Sequence, residues 1–140
     1  MHELGTGTYI EPTKDDVATY FTSWLKQNKM KIRPNTYRKY RSLVNYLIIP
    51  QLGQNKLSKL MPQQLVDMYE RLQHGEKQLS AQTINHVHKV LHDGLETAVK
   101  WEIIAKNVSK LVKPPKIPKT EMKVWTEEEL VQFLNLTKQQ

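Results

Sequence analysis

The sequence predicts an all-helical fold of four to five helices, followed by an extended basic segment. Five stretches carry apolar residues at helical spacing. Residues that cap or end helices stand at most of their boundaries. Strand-like alternation is limited to a short stretch at Thr8–Ile10. With 140 residues, 39% of them hydrophobic, the chain can form one modest core.

The first helix is predicted from about Lys14 to Asn28. Thr13 and Asp16 stand three residues apart and come close to a capping box, with Asp in place of the usual Glu or Gln. Five residues are expected to form the buried face of this helix: Val17, Tyr20, Phe21, Trp24 and Leu25.

The second helix is predicted to begin at Pro34, because proline at the first helical position leaves no N–H unpaired. Pro50 and Gly53 are predicted to end it. Its apolar face comprises Tyr37, Tyr40, Leu43, Val44, Leu47 and Ile48. The two tyrosines alternate with basic residues, which could form a base-stacking surface. Their helical spacing instead favours a place in the core and leaves Asn35, Arg38, Lys39 and Ser42 on the far side.

Two longer helices and a short turn are predicted next. The third helix opens with Pro62, ends at His74 and Gly75, and buries Leu65, Met68, Tyr69 and Leu72. The fourth begins after the N-cap residue Ser80, runs to about Lys100, and buries Ile84, Val87, Leu91, Leu95 and Ala98. A turn of helix capped by Asn107 follows, with Val108 and Leu111 expected to face inwards.

A proline-rich stretch separates these helices from the end of the chain. Three of the six residues 113–118 are proline, which is incompatible with a helix or a central strand. Residues 113–124 are therefore predicted to be an extended, semi-rigid linker. Residues 126–129 (TEEE) form a capping box before an apolar stripe with little in this chain to pack against. We expect residues 13–112 to be the helical domain, 1–12 a connector, and 125–140 the start of a second domain.

Basic residues are segregated along the chain, which has a net charge of +7. No acidic residue lies between Asp16 and Asp67, and a second acid-free stretch runs from Ile103 to Thr120. The basic residues of the two stretches are Lys26, Lys29, Lys31, Arg33, Arg38, Lys39, Arg41, Lys56 and Lys59, then Lys106, Lys110, Lys113, Lys116 and Lys119. A surface of one sign is typical of proteins that bind a phosphate backbone. A solvated basic face without a specific partner is the alternative.

The sequence carries no recognisable catalytic or cofactor motif. It has no cysteine, and its five glycines are scattered rather than grouped in a phosphate-binding loop. His88 and His92 have the spacing of metal ligands, but a third ligand is missing, so His88 is predicted to be buried and hydrogen-bonded. No apolar run approaches the roughly 20 residues that span a bilayer. We expect no catalytic residues, metal, cofactor, small-molecule substrate or membrane association, and a cytoplasmic location.

The polar side of the fourth helix gives the main indication of function. It carries Gln82, His86, Lys89, Asp93 and Glu96, with both acids in its second half. An acid-free N-terminal half suits a helix that enters a DNA major groove. The helix dipole there favours phosphate, and glutamine and histidine reach base edges. An ordinary solvated helix face is the alternative.

Taken together, the segments resemble the core-binding domain of phage- and transposon-type tyrosine recombinases (integrases), a SAM-like orthogonal helical bundle. The resemblance spans about Thr13 to Val112. It is carried in order by RPNTYRKY (33–40), IPQLG (49–53), Leu57, Leu60, LSAQTI (79–84), Leu91, AVKWEI (98–103) and Asn107. Met61 departs from the family at a capping position, and Val108 departs where proline often follows the asparagine. The flanks are similar to the connector after an arm-binding domain and to the segment leading into a catalytic domain.

The resemblance implies binding of double-stranded DNA at core-type attachment sites, together with other recombinase protomers, in the bacterial cytoplasm. The catalytic arginines, histidine, lysine and tyrosine of the family are expected beyond Gln140, so this fragment is not itself an enzyme. The DNA-binding residues carried over are Lys31, Arg33, Asn35, Thr36, Arg38, Lys39, Ser80, Gln82, Thr83, His86, Lys89, Lys113, Lys116 and Lys119. Arg38, Lys39 and Lys116 are expected at phosphates, and Gln82 and His86 nearer the bases.

Two other classes of protein remain open. One is a free-standing helical DNA-binding regulator, and the other is a helical protein-interaction domain that does not bind DNA. A helix-turn-helix joins its last two helices by a turn of about 3–4 residues. Here about six residues, from His74 to Leu79, separate the third and fourth helices, which disfavours that motif.

Overall fold

The computed structural model describes residues 13–76 and 78–118, and it is all-α as the sequence predicts. Within these residues there is no strand, and the one β-type pairing is an isolated bridge between Asp16 and Lys56. The helices are α1 (Val17–Asn28), α2 (Pro34–Leu43), α3 (Ile49–Leu52), α4 (Pro62–His74) and α5 (Ala81–Lys100), with a π-helical turn at Val44–Ile48 and 3₁₀ turns at Leu57–Lys59 and Val108–Leu111. The strand-like stretch Thr8–Ile10 lies outside the described residues.

Helix α1 begins later than the sequence predicts, and Thr13 is not its cap. The N-cap is Asp16, whose Oδ1 accepts a hydrogen bond from the Thr19 amide at 2.8 Å. The Thr13 hydroxyl instead accepts from the amide of Asp15 at 3.2 Å. The hydrogen bonds from Thr19 hold the pKa of the Asp16 carboxyl below its usual value, as expected for an acid at a helix N-terminus.

The prediction that Pro50 ends the second helix is wrong. The chain stays helical through the π-helical turn Val44–Ile48 and then α3, until the Gly53 amide donates to the Ile49 carbonyl at 2.8 Å. Proline lacks an N–H, and its ring crowds the carbonyl four residues back. The wider π-helical turn directly before Pro50 accommodates the proline ring. The hydrogen-bond pattern therefore shifts from i→i+4 to i→i+5 for one turn, and the chain stays helical.

Helix α5 forms the centre of the core and contacts both α2 and α4. Helix α1 is tied to it by two side chains: Tyr20 donates its hydroxyl to the Gly94 carbonyl at 2.6 Å, and Trp24 Nε1 donates to Thr97 Oγ1 at 3.2 Å. Helices α4 and α5 are the third and fourth helices of the sequence prediction, and the bounds predicted for them are confirmed. So is the hydrogen-bonded state of His88, whose Nδ1 lies 2.8 Å from the Tyr69 hydroxyl, although its ring stays partly exposed.

Helix α5 ends in a Schellman motif built without glycine. The Glu102 amide donates to the Val99 carbonyl at 3.0 Å, and the Ile103 amide donates to the Ala98 carbonyl at 2.8 Å. Glu102 adopts the left-handed region with φ of 60°. In the 3₁₀ turn that follows, Asn107 caps Ser109 and Val108 is buried, as predicted. Leu111 is 64% exposed, so its predicted inward orientation is wrong.

Replacing Glu102 by glycine is expected to stabilise the protein by about 0.5–1 kcal/mol. Glycine adopts positive φ without the steric penalty that a Cβ brings there. The glutamate is exposed, and the capping bonds are made by backbone atoms that glycine retains. Urea denaturation of both proteins measures the difference. Glu102→Ala is the control, because it removes the carboxylate but keeps the Cβ, and it should show no such gain.

Candidate nucleic-acid interface

Helices α2 and α5, which carry most of the predicted DNA-binding residues, contact each other. Lys39 of α2 is close enough to His86 of α5 for its positive charge to act on the imidazole. Burial first, and then this ammonium group, lower the pKa of His86 below its usual value. The lowered pKa favours the neutral imidazole of His86, which presents one hydrogen-bond donor and one acceptor, the pair that a base edge can use.

The start of α2 presents an exposed row of polar and basic side chains. Lys31, Arg33 and Asn35 are exposed, and Arg33 occupies the N-cap position with no side-chain capping bond. The Arg38 guanidinium donates to Asn35 Oδ1 at 3.0 Å, which orients both side chains along one face. Thr36, Arg38 and Lys39 are partly exposed. This part of α2 can offer cations and hydrogen-bond donors to an anionic partner.

The two tyrosines of α2 pack against the core, as predicted, but both remain partly exposed. The Tyr40 ring stacks on Trp24 with 5.9 Å between the ring centroids. The Tyr37 ring lies between two cations, Lys29 and Arg41, at 5.9 and 5.8 Å from its centroid. One tyrosine is therefore covered by another ring, and the other is flanked by basic groups.

Ser80 and Thr83, both predicted to bind DNA, stabilise the start of α5 in this structure. The Ser80 hydroxyl accepts from the Thr83 amide at 3.2 Å and thereby caps the helix. The Thr83 side chain lies beside that hydroxyl and is 2% exposed, so it is not accessible to a partner in this structure. Gln82 and His86 are partly exposed and Lys89 is exposed, so these three form the accessible polar side of the N-terminal half.

Asp93 links the polar side of α5 to α2, an arrangement that the sequence pattern did not predict. Its Oδ2 accepts from the Tyr40 hydroxyl at 2.9 Å and pairs with the Lys89 ammonium at 3.4 Å. The His92 Nδ1 lies 3.6 Å from the other carboxylate oxygen. Burial, and then the bond to Asp93, raise the pKa of the Tyr40 hydroxyl. The carboxylate therefore fixes α2 against α5 and partly neutralises Lys89.

The proline-rich segment stays in contact with α5 instead of leaving the domain directly after Val112. Val112 is buried, Pro114 and Pro115 are partly buried, and Lys113 and Lys116 are exposed. The side-chain amide of Asn85 donates to the Pro115 carbonyl at 2.7 Å. The sequence does not single out Asn85, because no local pattern indicates a contact with a residue 30 positions away. Lys119 lies outside the described residues.

The described residues contain neither a group of metal ligands nor a membrane-spanning helix. Within residues 13–76 and 78–118, no three histidine, aspartate or glutamate side chains are grouped so as to hold a metal ion. None of the helices in the same residues has the length and apolar character needed to cross a membrane.

The comparisons with known proteins agree with this architecture. The family described as "Phage integrase, N-terminal SAM-like domain" matches residues 17–73. The integrase-like domain from Bacillus cereus superposes with a TM-score of 0.72 and 31% identity, covering 84% of this chain and 98% of that domain. The phage integrase SAM-like domain from Moorella thermoacetica gives a TM-score of 0.62 and 30% identity over 79% of this chain and 93% of that one.

A longer relative is the ICEBs1 integrase of Bacillus subtilis (strain 168), 26% identical over 121 residues. The match covers 86% of this chain but 32% of the relative, so the chain spans about a third of that protein's length. The fold and its relatives define a helical domain of the integrase class. The chain belongs to the phage integrase SAM-like domain family.

Proposed function

We propose that this chain binds double-stranded DNA at core-type recombination sites as the SAM-like domain of a site-specific tyrosine recombinase. The observation that carries the proposal is the contact between α2 and α5, which brings the charge of Lys39 within electrostatic reach of His86. It joins the acid-free N-terminal half of α5 to the basic start of α2. Phosphate contacts fix a protein on the duplex, while groups in the groove select the sequence.

The two helices have different roles in the proposed complex. The exposed cations of α2 and of the proline-rich segment contact the phosphates, because a flexible point charge suits the backbone better than a base edge. Gln82 and neutral His86 lie within the first two turns of α5 and approach the bases in the major groove. The linker lysines Lys113, Lys116 and Lys119 contact phosphates of the DNA backbone in this proposal.

Strand cleavage and joining belong, in this proposal, to a catalytic domain of the parent recombinase. The helical domain lies on one side of the duplex and the catalytic domain on the other. Further protomers assemble at the paired sites on DNA in the bacterial cytoplasm. The purified chain is expected to bind duplex DNA without cutting it.

A free-standing regulator of the helix-turn-helix type is disfavoured by the connection between α4 and α5. Residues 75–80 separate His74 from Ala81, which is longer than the turn of about 3–4 residues in that motif. A helical protein-interaction domain is the second alternative. A domain of that kind would show no preference for a duplex that carries the recombination site.

Lys39→Ala and Gln82→Ala are expected to weaken DNA binding in different ways. Lys39→Ala should weaken binding to cognate and random duplexes about equally and reduce the log–log salt slope by about 0.9. Gln82→Ala should cost about 1–3 kcal/mol on the cognate duplex and little on random DNA. Fluorescence anisotropy with both labelled duplexes at two salt concentrations measures these changes.

Lys59→Ala is the matched control for the loss of one positive charge. Lys59 is exposed on the 3₁₀ turn Leu57–Lys59. Leu57 and Ser58 of that turn line a groove with Leu95, which lies in the second half of α5, whereas Gln82 and His86 lie in the first half. If Lys39→Ala and Lys59→Ala weaken binding to the same degree, binding depends on net charge alone and the assigned face is wrong. An equal loss on both duplexes for Gln82→Ala would remove α5 from base recognition.

A further inference from the structure

We propose that Asn85 is a positioning residue that holds the proline-rich segment against the N-terminal half of α5. It thereby places Lys113 and Lys116 beside the base-contacting turns before DNA arrives. The inference rests on the proposed function and adds to it the residue that orders the linker cations. Asn85 itself is not assigned a contact with DNA.

Both hydrogens of the Asn85 amide are used. The side-chain Nδ2 donates to the Ala81 carbonyl, one turn back in α5, at 2.8 Å. It also donates to the Pro115 carbonyl at 2.7 Å. A carboxamide nitrogen has two donor hydrogens, so one orients the side chain on its own helix and the other reaches the segment. The geometry is that of a clamp supported by its own helix.

The sequence of the segment explains why a side-chain donor is needed. Pro114 and Pro115 have no N–H, so they cannot enter a backbone ladder and have only carbonyl oxygens for hydrogen bonding. Their fixed φ angles also reduce the entropy lost when the segment is ordered. One hydrogen bond to a proline carbonyl therefore fixes several residues at once.

The clamp places the lysines next to the proposed base contacts. Asn85 directly precedes His86 in α5, and Lys116 directly follows Pro115, with adjacent Cα atoms about 3.8 Å apart. The upstream end of the segment is fixed independently, because Val112 is buried in the core. Lys113 lies between these two fixed points, and both lysine side chains are exposed.

Such ordering affects affinity without adding a contact. Immobilising a flexible segment on binding opposes association, and a segment that is already held avoids that cost. Loss of the clamp should therefore weaken binding while the lysines still neutralise their phosphates. Loss of a lysine should instead change how strongly binding depends on salt.

The first test uses the free protein and backbone ¹⁵N relaxation. In Asn85→Ala and Asn85→Asp, the order parameters of the Lys116 and Ile117 amides should fall from about 0.85 to below about 0.6, while those of α1 to α5 stay unchanged. Asn28→Ala is the matched control. Asn28 Nδ2 makes the same bond to the carbonyl four residues back, Trp24 O at 2.8 Å, but is given no role in the clamp. It should leave the segment rigid.

The second test uses duplex DNA and separates positioning from direct contact. Asn85→Ala should weaken binding about 2- to 10-fold, the range expected for one net hydrogen bond, with an unchanged salt slope. Lys116→Ala should lower the slope by about 0.9. In a Lys113→Ala, Lys116→Ala background, Asn85→Ala should have almost no further effect, because no linker cation remains to be placed. Asn28→Ala should bind as the wild type does.

The outcomes distinguish this inference from the proposed function. If Asn85→Ala leaves the segment rigid, or loosens it without changing the affinity of a chain that binds duplex DNA, the inference is wrong. A reduced salt slope in Asn85→Ala would also overturn it, since Asn85 would then govern whether the cations reach phosphates at all. If the wild type binds no duplex DNA, the proposed function fails, and that result does not depend on Asn85.

Discussion

Gly94→Ala is expected to destabilise the protein by about 1–3 kcal/mol, as overpacking of a well-packed core does. A Cβ on residue 94 would lie 2.7 Å from Cζ of Phe21 and closer still to Cε1. The Phe21 ring is fully buried and is held edge-on between Tyr20 and Trp24, with centroids 5.3 and 5.6 Å away, so it has little room to move. Denaturant unfolding of the two proteins measures the loss.

The expected sign of this change in stability is opposite to that in an ordinary helix interior. In an ordinary helix interior the same substitution stabilises by about 0.5–1 kcal/mol, because alanine restricts the unfolded chain and favours the helix. Phe21→Leu provides the partner for a double-mutant cycle, since it removes the ring edge that the new methyl group meets. The two changes together should cost less than the sum of their separate effects, by about 0.5–3 kcal/mol. A more stable Gly94→Ala protein would contradict the close approach of α1 and α5.

Helix boundaries were predictable where the signals were local. Pro62 and Ser80 start α4 and α5 as expected, because proline at the first position and a serine cap act within one turn. Helix α1 differs because its first amides are satisfied from elsewhere in the chain. The Val17 amide donates to the Asn55 carbonyl at 2.9 Å, and the Ala18 amide donates to the Gly53 carbonyl at 3.1 Å. Asp16 caps the Thr19 amide and a distant loop satisfies the two amides before it, so the cap expected at Thr13 is not used.

The same difference between local signals and long-range contacts applies to the candidate interface. Charge segregation and helical spacing led to the prediction that the start of α2 and the polar side of α5 contact DNA. They did not reveal that Thr83 is buried, because one helical position separates a buried side chain from an accessible one. The contacts of Asp93 with Tyr40 and of Asn85 with Pro115 were also missed, since the partners are 53 and 30 positions apart. Such contacts depend on the packed fold and leave no mark in a local pattern.

Binding of the wild-type chain to duplex DNA is expected to weaken about 10³-fold or more when salt rises from about 50 mM to about 200 mM. Each neutralised phosphate releases condensed counterions, which gives a log–log slope of about −0.9 per contact. Among the described residues, the proposed face offers seven cations: Lys31, Arg33, Arg38, Lys39, Lys89, Lys113 and Lys116. Five to eight contacts correspond to a slope of about −5 to −7, and a fourfold rise in salt raised to the fifth power gives about 10³.

This measurement separates the proposed function from the protein-interaction alternative. Anisotropy titrations at four or more salt concentrations give the slope directly, and circular dichroism at each concentration verifies that the helices stay folded. A slope near zero would mean that phosphates do not carry the binding, and the basic face would then be a solvated surface. Reversing charge at Lys39 and Lys116 to glutamate supplies the matched variant. It should flatten the slope by more than the two contacts removed, because the introduced carboxylates repel the backbone as well as failing to bind it.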